Sequence, residues 1–258
     1  MRQDIGNLQS FYASDLGQLV TQTVCTHLQN LWGDEGGAAQ ASILGFGYAT
    51  PYLQEMALRG WRTVAAMPAQ QGAEVWPSGA PSATVLVDEQ HLPFADEQFD
   101  RVVLVHAIED SPDPQKLLRE CWRVCAPEGR LVLVVAAREG LWARAEHTPF
   151  GHGQPYSRGQ ATRLLSQAMF EPQAYARALY MPPWPMCLGL SWGQGLARSW
   201  EQVGRLLLPS FSGVIMLEAK KRLYAPTGLV RAMEPVRKPV LARRSPHADP
   251  SRSVPPAV

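Results

Sequence analysis

Four short groups of residues have types and spacing that could do chemistry. Gly45-Phe46-Gly47-Tyr48-Ala49 follows the apolar pair Ile43-Leu44 and leads into Thr50-Pro51. A Gly-x-Gly turn between a strand and a helix lets the backbone bend sharply and lets a ligand approach where a Cβ would intrude. The helix that follows offers free N–H groups to a nucleotide-like group. An ordinary tight turn has the same spelling. The acids Asp88 and Glu89 follow the apolar stretch Ala83–Val87, and His106 follows Phe99–Val105. A histidine in such a place is a candidate general base. The bland alternative is a hydrogen-bonded pocket histidine with no proton to move. His152 and Tyr156 lie in the Gly- and Pro-rich stretch Thr148–Ser157. They are candidates for touching a substrate, against a loop shaped only for turns, with Tyr156 packed on the core.

The elements that must position these groups alternate in type. A helix is expected over 8–32, where Leu8, Phe11, Tyr12, Leu16, Leu19, Val20, Val24, Leu28 and Leu31 recur at helical spacing. Strands are expected over Ser42–Phe46, Trp61–Met67, Ala83–Val87, Phe99–Val105 and Arg130–Ala136. Helices are expected over Pro51–Arg59 and Pro114–Cys125, with a turn at Pro127-Glu128-Gly129. The Val-rich run Phe99–Val105 lacks alternation, as suits a strand buried on both faces of a parallel sheet. The order predicts a doubly wound, mostly parallel α/β sheet with helices on both faces. Ligands in such sheets bind beyond the carboxyl ends of the strands. Gly45–Gly47, Met67, Asp88 and His106 all fall there.

After strand five the pattern changes. Arg138–Tyr156 reads as a long loop, and Ser157 is a plausible N-cap for a helix to Met169. Strands are expected at Ala174–Tyr180 and Val214–Leu223, and a helix over 190–208 with the stripe Trp192, Leu196, Trp200, Val203 and Leu207. That stripe is expected to dock on the sheet, with subunit pairing or peripheral membrane contact as its other uses. Residues 226–258 read as a disordered basic, Pro-rich tail, so the globular part is expected over 1–225.

The totals exclude several classes. A net charge of +1 gives no reason to expect nucleic acid. Four cysteines, Cys25, Cys121, Cys125 and Cys187, are too scattered for a disulfide scaffold. Cys121 and Cys125 share a helix face, but two ligands do not make a zinc site, so no metal is expected. No basic segment precedes an apolar run, and no stretch of about 18 apolar residues exists. A cytoplasmic protein is the expectation.

Three motifs carry a family resemblance. They are the Gly-x-Gly turn, Asp88-Glu89-Gln90-His91-Leu92-Pro93-Phe94 before Phe99-Asp100-Arg101-Val102-Val103, and Glu120-Cys121-Trp122-Arg123-Val124-Cys125-Ala126-Pro127-Glu128-Gly129-Arg130-Leu131. Together, over roughly 41–136, they resemble class I S-adenosylmethionine-dependent methyltransferases of the methyltransferase type 11 group. The resemblance implies a Rossmann-like sheet of seven strands, the last antiparallel, a cofactor-binding core over 41–136, and a substrate loop and C-terminal strands over 137–225. It implies S-adenosylmethionine as cofactor and a small-molecule methyl acceptor. It also implies that Gly45, Phe46, Gly47, Tyr48 and Ala49 wrap the methionine part, that Asp88 and Glu89 approach the adenine, and that Val105 and His106 lie beside the sulfonium and the acceptor.

Two positions depart from the family pattern. An acid is usual two residues before the first glycine, where Ile43 stands, and at the end of strand two, where Met67 stands. No Asp or Glu occurs between Glu55 and Glu74, which leaves Gln70 or Gln71 to reach the ribose. A non-catalytic binding or regulatory protein of the same fold is therefore the alternative. An NADP-dependent oxidoreductase has Arg62 in its favour but Thr50 where a third glycine belongs. No motif encodes the acceptor or the oligomeric state.

Overall fold

Parallel strands need crossovers, and here the crossovers supply helices to both faces of one sheet. A computed structural model describes residues 2–32, 41–183, 204 and 211–222, and the backbone of 234–235. Its helices are α1 (Ile5–Ala13), α2 (Asp15–Trp32), α3 (Thr50–Leu58), α4 (Pro114–Val124) and α5 (Arg158–Gln167). Its strands are β1 (Ser42–Gly47), β2 (Arg62–Pro68), β3 (Thr84–Val87), β4 (Phe99–Val105), β5 (Cys125–Ala136), β6 (Phe170–Ala178), β7 (Val214–Lys221) and β8 (Glu234–Pro235). The sheet order is β3-β2-β1-β4-β5-β7-β6-β8. β1 to β5 run parallel, and β7 lies antiparallel between β5 and β6. The expected seven strands are present. Two residues of the 226–258 stretch add β8 beside β6; the rest of that stretch lies outside the described residues. So does the expected helix over 190–208, apart from Gly204.

Successive strand residues point to opposite faces, and both faces are covered. On one side Ile43, Val103, Val105, Val132, Val134 and Met216 pack with α1, α2 and α3. On the other Leu44, Phe46, Val102, Leu104, Leu131 and Leu133 pack with α4 and α5. All six residues of β1 are buried, which is why this strand reads as a continuous apolar run.

Two expectations are corrected. The helix expected over 8–32 is two helices, broken at Ser14, whose backbone is extended (φ −74°, ψ 159°). The Ser14 hydroxyl donates to Phe11 O at 2.6 Å and accepts from Gly17 N at 3.1 Å, so one side chain ends α1 and starts α2. Strand five starts at Cys125, not Arg130. It takes in the expected Pro127–Gly129 turn as an irregularity, with the register to β4 slipping between Phe99/Cys125 and Arg101/Arg130. Ser157 does cap α5, within a full capping box closed by Gln160.

Candidate functional site

β1 and β4 are neighbours whose connections leave to opposite sides, so a crevice opens beyond their carboxyl ends. The turn after β1 sits in it. Gly47 has φ +86°, and a Cβ there would stand 2.1 Å from Val105 O. A Cβ on Gly45 would stand 2.6 Å from Leu53 Cδ1. The protein's own β4 backbone and α3 thus require both glycines, a reason the sequence does not display. Tyr48 N donates to Val105 O at 2.9 Å, which ties the turn to β4. Phe46 points away into the far core, so it offers this crevice only its main chain.

The two acids after β3 part company. Asp88 is exposed and lies 3.8 Å from His91, whereas Glu89 is buried. Glu89 is met by a residue that the sequence does not single out. Arg2 Nη2 donates to Glu89 Oε2 at 2.5 Å and to Ala107 O at 3.2 Å, and Nη1 donates to His106 O at 3.4 Å. The Arg2 side chain is only 2% exposed, and its Nε–H is buried without a partner. Residues 2–5 are pinned across the crevice by Ile5 N donating to Gln71 O at 2.9 Å.

At the end of β2, Met67 is fully buried among core side chains. Gln70 is exposed, but Gln71 is buried and its Nε2 donates to Gly47 O at 3.3 Å. Of the two amides weighed from sequence, Gln71 is the one brought to the crevice. Glu74 lies nearby, accepting from Thr50 Oγ1 at 2.5 Å, Gln9 Nε2 at 2.8 Å and Tyr48 Oη at 3.3 Å.

His106 has a left-handed backbone (φ 49°) at the turn out of β4. Its Nε2 shares a 2.7 Å hydrogen bond with Tyr12 Oη, which shares another of 2.7 Å with Tyr52 Oη. Its ring rests on Phe150 at 4.6 Å between centroids. Burial, with the nearby His152 second, pulls its pKa down to about 3, so the imidazole is neutral at neutral pH. Burial likewise holds the Tyr12 phenol well above its usual value.

Glu109, three residues past His106, is buried. The chain after β4 folds back over the end of β5, where Ala136 N donates to Glu109 Oε1 at 3.3 Å. Burial raises its pKa to about 7, against the pull of three backbone N–H groups, and Oε2 has no partner. The pair Glu109-Asp110, four positions past a strand, carries no sequence signal for any of this.

The loop after β5 forms a second boundary. Between it and α1–α2 lies a cleft of about 760 Å³ lined by Gln3, Asn7, Phe11, Glu146, His147 and His152 among others. Phe11 and Pro149, which line it, adjoin Tyr12 and Phe150, the two rings that hold His106. Exposed His152 shares a 2.7 Å hydrogen bond with Glu146 O. Tyr156 does not join it there. Its ring packs in the core on the far face, and its hydroxyl donates to Ile108 O at 3.3 Å. The described cysteines are free and buried, and among the described residues no cluster suits a metal ion.

Comparison with known proteins fits this geometry. A family model described as a methyltransferase domain matches residues 44–133. Over 48 residues the chain is 42% identical to methyltransferase GfsG of Streptomyces halstedii, which covers 19% of this chain and 17% of that protein. Over 50 residues it is 40% identical to the ubiquinone/menaquinone biosynthesis C-methyltransferase UbiE of Haemophilus ducreyi, 19% of each. The matched part spans between 17% and 31% of the length of such curated relatives. A solved S-adenosylmethionine-dependent methyltransferase of Thermotoga maritima superposes with a TM-score of 0.57 at 16% identity, covering 84% of this chain and 96% of that one. At that identity the likeness is one of fold. Residues 44–133 therefore match the methyltransferase domain family, and the fold around them is the class I, Rossmann-like fold of the solved methyltransferases.

Proposed function

We propose that this protein is an S-adenosylmethionine-dependent methyltransferase acting on a polar small molecule. The observation that carries the reading is the convergence of opposite polarities at the β1–β4 crevice. The Gln71 amide, the Glu89 carboxylate, the Arg2 guanidinium with its unpartnered Nε–H and the carbonyls of Gly47 and His106 all reach it. An adenosine joined to a zwitterionic amino acid suits such a lining. No carboxylate stands at Ile43 or Met67, and Gln71 is the group we assign to the ribose in place of an acid after β2.

S-adenosylmethionine supplies a methyl group already activated by its sulfonium, so what it requires of the protein is alignment of the acceptor. In this reading the Gly45–Ala49 turn holds the methionine part through its main chain, while Asp88 and Glu89 flank the adenine. Val105 and His106 border the transfer site, and the Tyr12–His106–Phe150 wall fixes the acceptor's angle. The acceptor enters by the cleft at His152, whose polar lining favours a hydrogen-bonding molecule. With a pKa of about 3, His106 is a weak base at neutral pH and serves to orient. Glu109, at about 7, is better matched to accept a proton if the acceptor must lose one. The free, buried thiols suit a reducing compartment, and we assign the protein to the cytoplasm.

Calorimetric titration of the purified chain tests the reading. S-adenosylmethionine and S-adenosylhomocysteine are expected to bind and NADPH to give no heat. No heat with the first two at millimolar concentration would leave a non-catalytic binding protein of the same fold.

A further inference from the structure

Residues 2–14 carry two sets of contacts, one for each side of the site. Arg2 Nη2 donates to Glu89 Oε2 and Ala107 O, Ile5 N to Gln71 O, and Gln9 Nε2 to Glu74 Oε2, while Tyr12 Oη shares hydrogen bonds with His106 Nε2 and Tyr52 Oη. These partners follow β2, β3 and β4 or lie in α3, so the segment crosses the mouth of the crevice. Gln3, Asn7, Ser10 and Ser14 alternate with the first set and line the cleft that holds His152. Within α1, helical spacing puts Ile5, Gln9 and Tyr12 on one face and Asn7 and Ser10 on the other. The hold on the crevice is mostly polar: α1 buries only Leu8 and Tyr12, whereas α2 buries eight residues. Elements with few buried apolar contacts open at the least cost. Ser14, extended between the two helices, is an element-terminal position of the kind that absorbs a hinge rotation. Lifting α1 also returns both Arg2 and Glu89 to water, so rehydration offsets the lost attraction.

We propose that residues 2–14 form a lid hinged at Ser14, which opens to admit and release the cofactor and, in closing, builds one wall of the acceptor cleft. The proposal rests on the S-adenosylmethionine reading. It also sets an order of binding. The cofactor enters first, because the acceptor's cleft is complete only when the lid is down.

A Cβ on Gly72 would stand 3.6 Å from Ile5 Cβ, within the range of a disulfide. The double variant Ile5→Cys, Gly72→Cys therefore locks the lid down when oxidised. Its own reduced form is the control for the strain of a side chain at Gly72, where φ is +88°. Surface plasmon resonance with S-adenosylhomocysteine reads both binding and release. The reduced form is expected to do both, and the oxidised form to do both at least roughly ten-fold more slowly. Hydrogen exchange on the unmodified chain is the second measurement. The α1 amides are expected to exchange through an opening that leaves α2 protected, and S-adenosylhomocysteine to slow them. Equal rates for the oxidised and reduced forms overturn the lid, and so do α1 amides that exchange only when α2 does. A wild type that binds no S-adenosylhomocysteine removes the cofactor reading itself, and the lid with it.

Discussion

Two titratable side chains just past β4 pull the pH dependence of stability in opposite directions. Folded His106 takes its proton near pH 3, against 6.5 when unperturbed, so between those values the unfolded chain holds more protons and stability rises with pH. Folded Glu109 keeps its proton to about 7, against 4.5 when unperturbed, so over that span the folded state holds more and stability falls as pH rises. The two nearly cancel in the overlap. Glu109→Gln removes only the second, and its stability relative to the wild type should improve by about 3 kcal/mol as pH rises from roughly 4.5 to 8, taking about 1.4 kcal/mol per pKa unit. Urea melts across that range read the gap, and a gap that stays constant would show that Glu109 ionises freely. The end of β2 gives a second test at this scale. Met67 is fully buried in the core, so an acid there would be an unpaired buried charge. Met67→Asp should cost about 3–5 kcal/mol of stability and not improve cofactor binding. Gln71→Ala should weaken binding about tenfold through loss of one amide contact. A Met67→Asp protein as stable as the wild type, or unchanged affinity in Gln71→Ala, contradicts the assignment of Gln71 to the ribose.

Elements with a strong period were legible, and elements placed by a single contact were not. β4 was bounded to the residue, because a two-faced strand spells a run of large apolar residues between polar ends. The N-terminal break was missed because apolar spacing continues through it; only the small Ala13-Ser14 pair before Asp15 marks it. The layout of the crevice was legible where it depends on strand ends, which bring Gly45–Ala49, Glu89 and His106 to the carboxyl ends of the parallel strands. It was illegible where it depends on distant segments meeting, as Arg2 meets Glu89 across 87 positions and Tyr12 meets His106 across 94. Gly17 shows what the break does. A Cβ on it would lie 2.1 Å from Phe11 O, so α1 can turn closely over α2 only at a glycine. Gly17→Val should push α1 outward and lower stability by about 1–3 kcal/mol, the range for overpacking. It should also break the Tyr12–His106 hydrogen bond, and the histidine imino proton in NMR spectra would report it. A variant with native stability and an unmoved signal would mean that α1 tolerates the displacement.

On the scale of the whole molecule, the two cores of the described residues lie on opposite faces of the sheet, and the crevice opens beyond the carboxyl ends of its central strands β1 and β4. In the proposed reading a ligand there would meet residues 2–5, the 45–49 turn, Gln71, Glu89 and the end of β4, while α4 and α5 pack on the opposite face. Binding to the folded state alone adds about 2.7 kcal/mol at a hundred times Kd. In a domain of this size each kcal/mol moves the melting temperature by roughly 2–4 °C. Saturation with S-adenosylhomocysteine should therefore raise it by about 5–10 °C. Gly47 variants are a poor control for this, since a Cβ there strikes Val105 O in the ligand-free fold and lowers stability by itself. The sharper test is where the ligand slows amide hydrogen exchange below the global limit. Protection is expected over 2–14, 45–53, 69–74 and 105–109, with α4 and α5 changed only through the global rise. Selective protection of α4 or α5, with none over residues 2–14, would put the ligand on the other face and remove both the crevice assignment and the part given to residues 2–14.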